Sequence, residues 1–239
     1  MAVIRTWKCE NINWADLEVM AKHGHLMDHL SERDTITFID MDGIAQTAVA
    51  AKVTPTGALF VMQDLETEMQ RMYKQLDGNQ LSWEGADLRA WLNTEKLAKL
   101  PEDMQAVIQP RKIVQVFDGA EIVTEDMLWA PSATELFGKD CHPALRAHDG
   151  PNEEQLPIFM TEADRVKNRN GETWWYWSRS PLSTSSTGFC NVNSNGTAYS
   201  NGATGAYGVC FGFLIGSLDP VISGPEGTDT VAEDQENAE

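Results

Sequence analysis

The sequence predicts an α+β domain with short helices in its first half and a small antiparallel sheet in its C-terminal half. Three observations carry this. Helical apolar spacings are concentrated between residues 64 and 138, whereas short β-type runs separated by Asn/Gly turns follow residue 174. A hydrophobic share of 42% with eight Trp in 239 residues describes an ordered chain that can bury a sizeable core.

Along the chain, residues 35–40 (TITFID) read as a strand. Asp42-Gly43 signals a hairpin turn, and 45–53 returns as its partner. Ala58 to Met62 is a further strand. A helix is expected from Asp64, because Leu65, Met69 and Met72 recur at helical spacing. A second helix covers 84–93, with Leu88, Trp91 and Leu92 on its apolar stripe. A third begins at Pro101 and runs to about Ile108 with Met104 inward. Residues 112–117 and 127–130 read as strands. Ser132 and Glu135 form a capping box for a short helix that Gly138 ends. Residues 139–172 are expected as a long ordered loop, followed by strands at 174–179, 188–193 and 208–215. Residues 1–216 then make one domain, and 217–239 an acidic, disordered tail.

Charge restricts the partners. The net charge of −18 disfavours phosphate backbones and anionic membranes, so no nucleic acid and no membrane insertion are expected. Part of it sits in the tail, where seven acids stand without a Lys or Arg. The first residues, MAVIRTWKCENINW, lack the apolar core of a signal peptide, and no uncharged stretch is long enough to span a bilayer. The expectation is a protein made in the cytoplasm, reaching the outside, if it does, by a vehicle such as a virus particle.

Catalytic and metal signals are weak. His23, His25 and His29 near Asp28 are the one metal-like cluster, and they read better as surface histidines. Asp40 to Gly43 resembles the start of a calcium loop, but Ala51 and Lys52 stand where the closing Glu is needed. A hairpin turn fits better. Cys141-His142 is read as an inert pair, since neighbours in sequence rarely face one another. The four cysteines show no CxxC spacing. Cys190 and Cys210 admit a disulfide, with reduced thiols the favoured reading. No cofactor is expected.

The most informative stretch is 174–213. It opens on Trp174, Trp175, Tyr176 and Trp177, closes on the apolar Val209 to Phe213, and between them contains no Lys, Asp or Glu. Small uncharged residues mixed with Tyr are adaptable contact chemistry rather than acid–base or metal chemistry. In a strand, Trp175 and Trp177 share one face while Trp174 and Tyr176 share the other, so one pair can be core while the other borders a surface. The plain alternative is a core aromatic run followed by a Ser/Asn/Gly loop. Tyr199 and Tyr207 are the natural contact anchors of the binding reading.

Several segments together resemble one family. They are WEGADLRAWLN (83–93) followed by LPEDMQAVIQPRK (100–112), then MLWAPSATELFG (127–138), then WWYWSRSP (174–181). Phe189, Val192 and Gly196 follow, and GVCFGF (208–213) closes the set. The resemblance is to a large group from gut bacteria and their phages with a C-type-lectin-like fold, some of whose members are variable proteins of diversity-generating retroelements. It covers roughly 30–216. It implies a non-enzymatic protein that binds a protein or glycan receptor on a host cell surface, as a homo-oligomer or attached to a phage tail or related structure. Adenine-directed mutagenesis in such systems scatters Asn, Ser, Thr, Tyr, Gly, Ala and Asp, the palette seen here.

Carried over by position, the resemblance makes Tyr176, Ser178, Ser183, Thr184, Ser185 and Ser186 candidate ligand-binding or diversified positions. Cys190, Asn191, Tyr199, Asn201, Thr204 and Tyr207 join them. Trp175, Trp177, Arg179, Pro181, Phe189, Val192, Gly196, Gly208 and Phe213 fall to the scaffold. Many members end Gly-Val-Arg-Pro-Ala-Phe, whereas here Cys210 replaces the Arg. Two other classes remain open: a fixed structural virion component, and a lectin-fold enzyme using Cys190 and Cys210.

Overall fold

The computed structural model describes residues 3–5 and 10–218. The expected tail, apart from Ser217 and Leu218, lies outside the described residues, as do Cys9 and most of the leading segment. The fold is α+β, but the division into a helical first half and a stranded second half is corrected. The largest sheet is antiparallel and takes most of its strands from the first half, in the spatial order Leu128–Trp129, Gly212–Gly216, Gly57–Met62, Ala45–Val53, Thr35–Ile39, Val3–Arg5 and Glu10–Ile12. Ile108–Gln109 also pairs with Gly212–Gly216. The last strand is thus inserted near one edge of a sheet begun by the first residues. This long-range closure leaves no local signature in the sequence.

The helix Trp14–Lys22 covers this sheet. Asn13 and Asp16 cap it reciprocally, satisfying donors that a helix start leaves free. Its Trp14 ring meets Phe38, Phe60 and Phe213 edge-on at 5.8, 6.4 and 5.8 Å, and Phe60 stacks on Phe213 at 5.1 Å. Edge-to-face and offset contacts of this kind stabilise by about 0.5–1.5 kcal/mol each beyond burial.

Several expected elements stand where expected: Thr35–Ile39, Ala45–Val53, Gly57–Met62, Arg111–Phe117 and Leu128–Trp129 are strands. The 40–44 turn is tied by the Asp40 carboxylate, which accepts from the backbone of Asp42 and Ile44 at 3.0 and 2.8 Å, so Asp40 closes the hairpin. Ala133–Phe137 carries both bonds of the Ser132/Glu135 capping box and stops at Gly138 with φ +68°.

Others differ. No helix starts at Asp64, because the Leu65 and Glu66 N–H groups donate to Asn168 and Val209 instead. Leu65 and Met72 are nevertheless buried, so the spacing marked burial rather than a helix. The second helix is α over Asp87–Trp91 and then widens and tightens through Leu92–Lys99. The third is only Glu102–Gln105, since Ile108 joins the large sheet. The 139–172 segment holds short helical turns at Pro143–Arg146, Pro157–Phe159 and Glu162–Arg165, and a hairpin, Asn168–Arg169 with Glu172–Thr173. Asn170 and Gly171, at φ +53° and +84°, make the tight turn that two-residue hairpins require.

A second, three-stranded antiparallel sheet, Tyr176–Pro181, Gly188–Val192 and Ala198–Gly202, forms in the C-terminal half. Its third strand, and the Ala206–Tyr207 pairing with Gln70–Arg71, lie within what reads as loop.

Candidate functional site: an aromatic face with unpartnered amides

The three-stranded sheet sorts its side chains by alternation. Trp177 stands opposite Asn191, Asn191 opposite Tyr199, and Phe189 opposite Asn201, so these residues share one face. Trp175, two residues before Trp177, continues that face just outside the strand. Its ring meets Tyr199 edge-on at 5.2 Å and lies 6.4 Å from Tyr207, while Trp177 meets Tyr207 at 4.9 Å. Tyr176 points the other way, its hydroxyl donating to the Arg165 carbonyl at 2.9 Å. Sharing of a face by Trp175 and Trp177 is therefore observed: Trp177 is fully buried and Trp175 is half-buried.

One end of this face is covered. Tyr73 packs on Phe189 at 6.1 Å, its backbone N–H donates to Ala203, and Leu81 donates to Ser186. Gln70 accepts from the Trp177 indole at 2.9 Å. The 70–82 segment thus walls the Phe189 end. The other end is open, with Tyr199 53% exposed.

Between the two ends lies an unusual group. Asn191 is fully buried in the central strand, and neither its Oδ1 nor its Nδ2 has a hydrogen-bond partner. The Nδ2 of Asn201, on the same face, is also buried and unpartnered. Buried amide groups almost always find partners, and each one left unmade costs about 1–3 kcal/mol.

The positions expected to contact ligand divide accordingly. Ser183, Thr184, Ser186, Tyr199 and Thr204 are exposed, and Ser185, Asn201 and Tyr207 are half-buried. Residues 183–186 and Thr204 gather at the covered end, where Ala203 donates to Thr187, while Tyr199 marks the open end. Tyr176, Ser178, Cys190 and Asn191 are corrected: all four are fully buried, because both faces of this sheet are packed along its central strand. Tyr176, Ser178 and Cys190 belong to the scaffold, and only Asn191 keeps free hydrogen-bonding capacity.

The scaffold beneath is ionic. Arg179, fully buried, donates to Glu135 at 2.6 Å and to Glu153, and Glu135 also pairs with Arg111. Arg111 lies over the Trp129 ring at 4.2 Å. Burial alone would raise the Glu135 carboxyl, but the Arg111 and Arg179 charges outweigh it and hold it at about 2. Asp149 accepts from the Thr134 N–H and hydroxyl, both at 2.8 Å, and from Ser180. Burial, then the nearby Glu153 charge, pushes Asp149 up to about 7. Of these groups Arg111, Glu135 and Glu153 border a cavity of about 710 Å³ between the large sheet and the 150–157 loop. Nothing in the residue pattern except the Ser132/Glu135 box announced this network, whose members come from distant segments.

The remaining chemistry-bearing residues are placed plainly. Cys190 and Cys210 are buried free thiols rather than a disulfide, and burial pushes both up from the ordinary thiol range. Burial likewise raises Cys141, while its neighbour His142 accepts from Ala144 at 3.2 Å. His25 pairs with Asp28 at 3.0 Å, and no group of three metal-ligating side chains occurs among the described residues. No helix among the described residues is long and apolar enough to cross a membrane.

No curated protein and no solved structure matches this chain. A family match spans residues 56–217, from the Gly57–Met62 strand through the aromatic face to the last strand of the large sheet. The chain therefore belongs to the family described as a domain of unknown function, DUF6273.

Proposed function

We propose that the protein is a non-enzymatic ligand-binding module whose contact surface is the open end of the aromatic face, with Tyr199, Trp175 and Tyr207 as anchors. The observation that carries this is the exposed Tyr199 ring set edge-on against Trp175, on a sheet whose first strand is anchored by the buried Arg179 ion pairs. A rigid aromatic platform loses little entropy on binding, and tyrosines at a contact centre carry a large share of affinity. The exposed Ser183, Thr184, Ser186 and Thr204 carry adaptable hydroxyls at the covered end, apart from this contact surface.

On the sequence resemblance, the fold is C-type-lectin-like and this face is the variable surface of a diversity-generating retroelement protein that meets a host receptor from a phage tail. The buried Tyr176, Ser178 and Cys190 narrow the variable set to the exposed and half-buried positions. A thiol enzyme has less support, since a nucleophilic Cys needs a reachable, low-pKa thiolate and neither Cys190 nor Cys210 is one.

The test is binding of the whole protein to arrays of peptides and glycans, beside a Tyr199→Ala/Tyr207→Ala variant of equal thermal stability. Retention of a ligand by the parent and its loss by the variant is expected. Equal retention by both, or none by the parent, refutes the assignment of this surface.

A further inference from the structure

We propose that the outer edge of the Ala120–Asp126 strand is a docking site for an extended, basic segment of a partner protein, which adds to its two-stranded sheet as a third strand. This surface is formed by other residues than the aromatic face, so the inference does not depend on the binding reading above.

The register shows which backbone groups are free. Arg111–Phe117 and Ala120–Asp126 pair antiparallel, from Arg111 opposite Asp126 to Phe117 opposite Ala120. Asp118 and Gly119, at φ +50° and +82°, make a two-residue turn of the mirror-image type, which closes on a hydrogen-bonded pair, here Phe117 and Ala120. Bonded and non-bonded pairs then alternate along the ladder. Glu121, Val123 and Glu125 fall in the non-bonded pairs, so their N–H and C=O groups point away from the neighbouring strand. The neighbouring strand agrees with this phase: Val116, opposite Glu121, donates its N–H outward to the His148 carbonyl at 3.0 Å.

The two outer edges of the hairpin differ. The edge of Arg111–Phe117 is covered by the 148–149 segment, through the His148 bond and a bridge between Gln115 and Asp149. On the other edge, no backbone group among the described residues bonds the outward N–H and C=O of Glu121 and Val123. Arg89 Nη2 reaches the Glu125 carbonyl at 3.5 Å and closes that end. What remains is a row of donors and acceptors repeating every two residues, about 6.8 Å. Another extended backbone carries the same repeat, which is why open strand edges recruit strands.

The side chains select among strands. Glu121, Val123 and Glu125 share one face and are all exposed, Val123 by 44%. Lys112 stands opposite Glu125 but forms no ion pair with it. A second copy pairing antiparallel about Val123 would set Glu121 of each chain against Glu125 of the other, and like charges directly opposite are destabilising. A strand with Lys or Arg two residues to either side of an apolar residue places cations opposite both carboxylates and apolar surface opposite Val123. The net charge of −18 attracts such a segment from solution.

The experiment is a backbone-amide NMR titration of the whole protein with the acetylated and amidated heptapeptide Thr-Lys-Thr-Val-Thr-Lys-Thr. One control peptide has Glu in place of both Lys, and another has N-methyl groups on the Lys and Val nitrogens. Saturable shifts of the Glu121 and Val123 amide signals with the parent peptide alone are expected, weakened at high salt. Absence of these shifts, or equal shifts with either control peptide, overturns the inference. A Glu121→Lys/Glu125→Lys variant should exchange its preference to the Glu peptide, and a retained preference for the Lys peptide overturns the proposal. Val123→Pro removes one outward N–H and no bond of the hairpin, and should abolish binding. Undiminished affinity in that variant would likewise overturn strand addition.

Discussion

Replacing Asn191 with Leu should stabilise the free protein, which is the reverse of what most substitutions of fully buried residues do. The two side chains are similar in size, and the site is flanked by Trp177, Phe189 and Tyr199, which offer apolar surface to a Leu. The substitution removes two buried polar atoms without partners. Each such atom costs about 1–3 kcal/mol, and exchanging an unpaired polar group for an apolar one of the same shape returns part of that. Shape mismatch of the branched Leu offsets some of the gain, so a net stabilisation of about 1–3 kcal/mol is expected. At roughly 2–4 °C per kcal/mol for a chain of this size, the melting temperature should rise by several degrees. The assay is paired thermal and urea unfolding, with an unchanged m-value required so that the shift reports stability alone. Destabilisation by about 1 kcal/mol or more would refute the reasoning, because it would mean that the Asn191 amide is already satisfied in the free protein, for instance by an enclosed water.

Three further outcomes follow from the scaffold. Asp149 is raised from 3.8 to about 7, so the folded state holds a proton that the unfolded state has lost across that window, and stability should fall as pH rises through it, by up to about 1.4 kcal/mol per pH unit. Glu135 works oppositely, its contribution being present above 4.5 and lost as pH falls toward about 2; urea unfolding across pH should show both arms, with Asp149→Asn flattening only the upper one. Arg179→Met leaves Glu153 without its buried partner and Glu135 with Arg111 alone, and should destabilise by about 3–5 kcal/mol in the same assay; a loss under about 1 kcal/mol would show that the pairs are solvated. Gly196→Ala should cost more than about 1 kcal/mol, because φ is +85° and a Cβ would stand 1.9 Å from the Glu162 carbonyl oxygen; a neutral melting temperature would refute that approach.

Much of the local structure was legible in the sequence for local reasons. The Asp42-Gly43 hairpin, the Ser132/Glu135 capping box and the alternation that put Trp175 and Trp177 on one face each depend on residues within a few positions of one another. The helix expected from Asp64 failed where distant partners competed. Its apolar spacing was real, but the N–H groups of Leu65 and Glu66 found carbonyls at Asn168 and Val209, more than a hundred residues away. The candidate site shows the same division. Composition marked 174–213, free of Lys, Asp and Glu, as adaptable contact chemistry, yet Tyr176, Ser178 and Cys190 are buried, since a Ser or Tyr reads alike on a packed or an open face.

By itself the sequence determined the residue palette of the C-terminal stretch, the turns that shape it and the acidic balance of the chain. These are properties of residue type and short spacing. Only the tertiary structure decided that the last strand enters the first half's sheet, that Arg111, Glu135, Glu153 and Arg179 meet in one ionic network, and that Asn191 is buried without a partner. Each of these depends on which distant groups compete for the same space and the same hydrogen bonds, and that competition is settled when the chain packs.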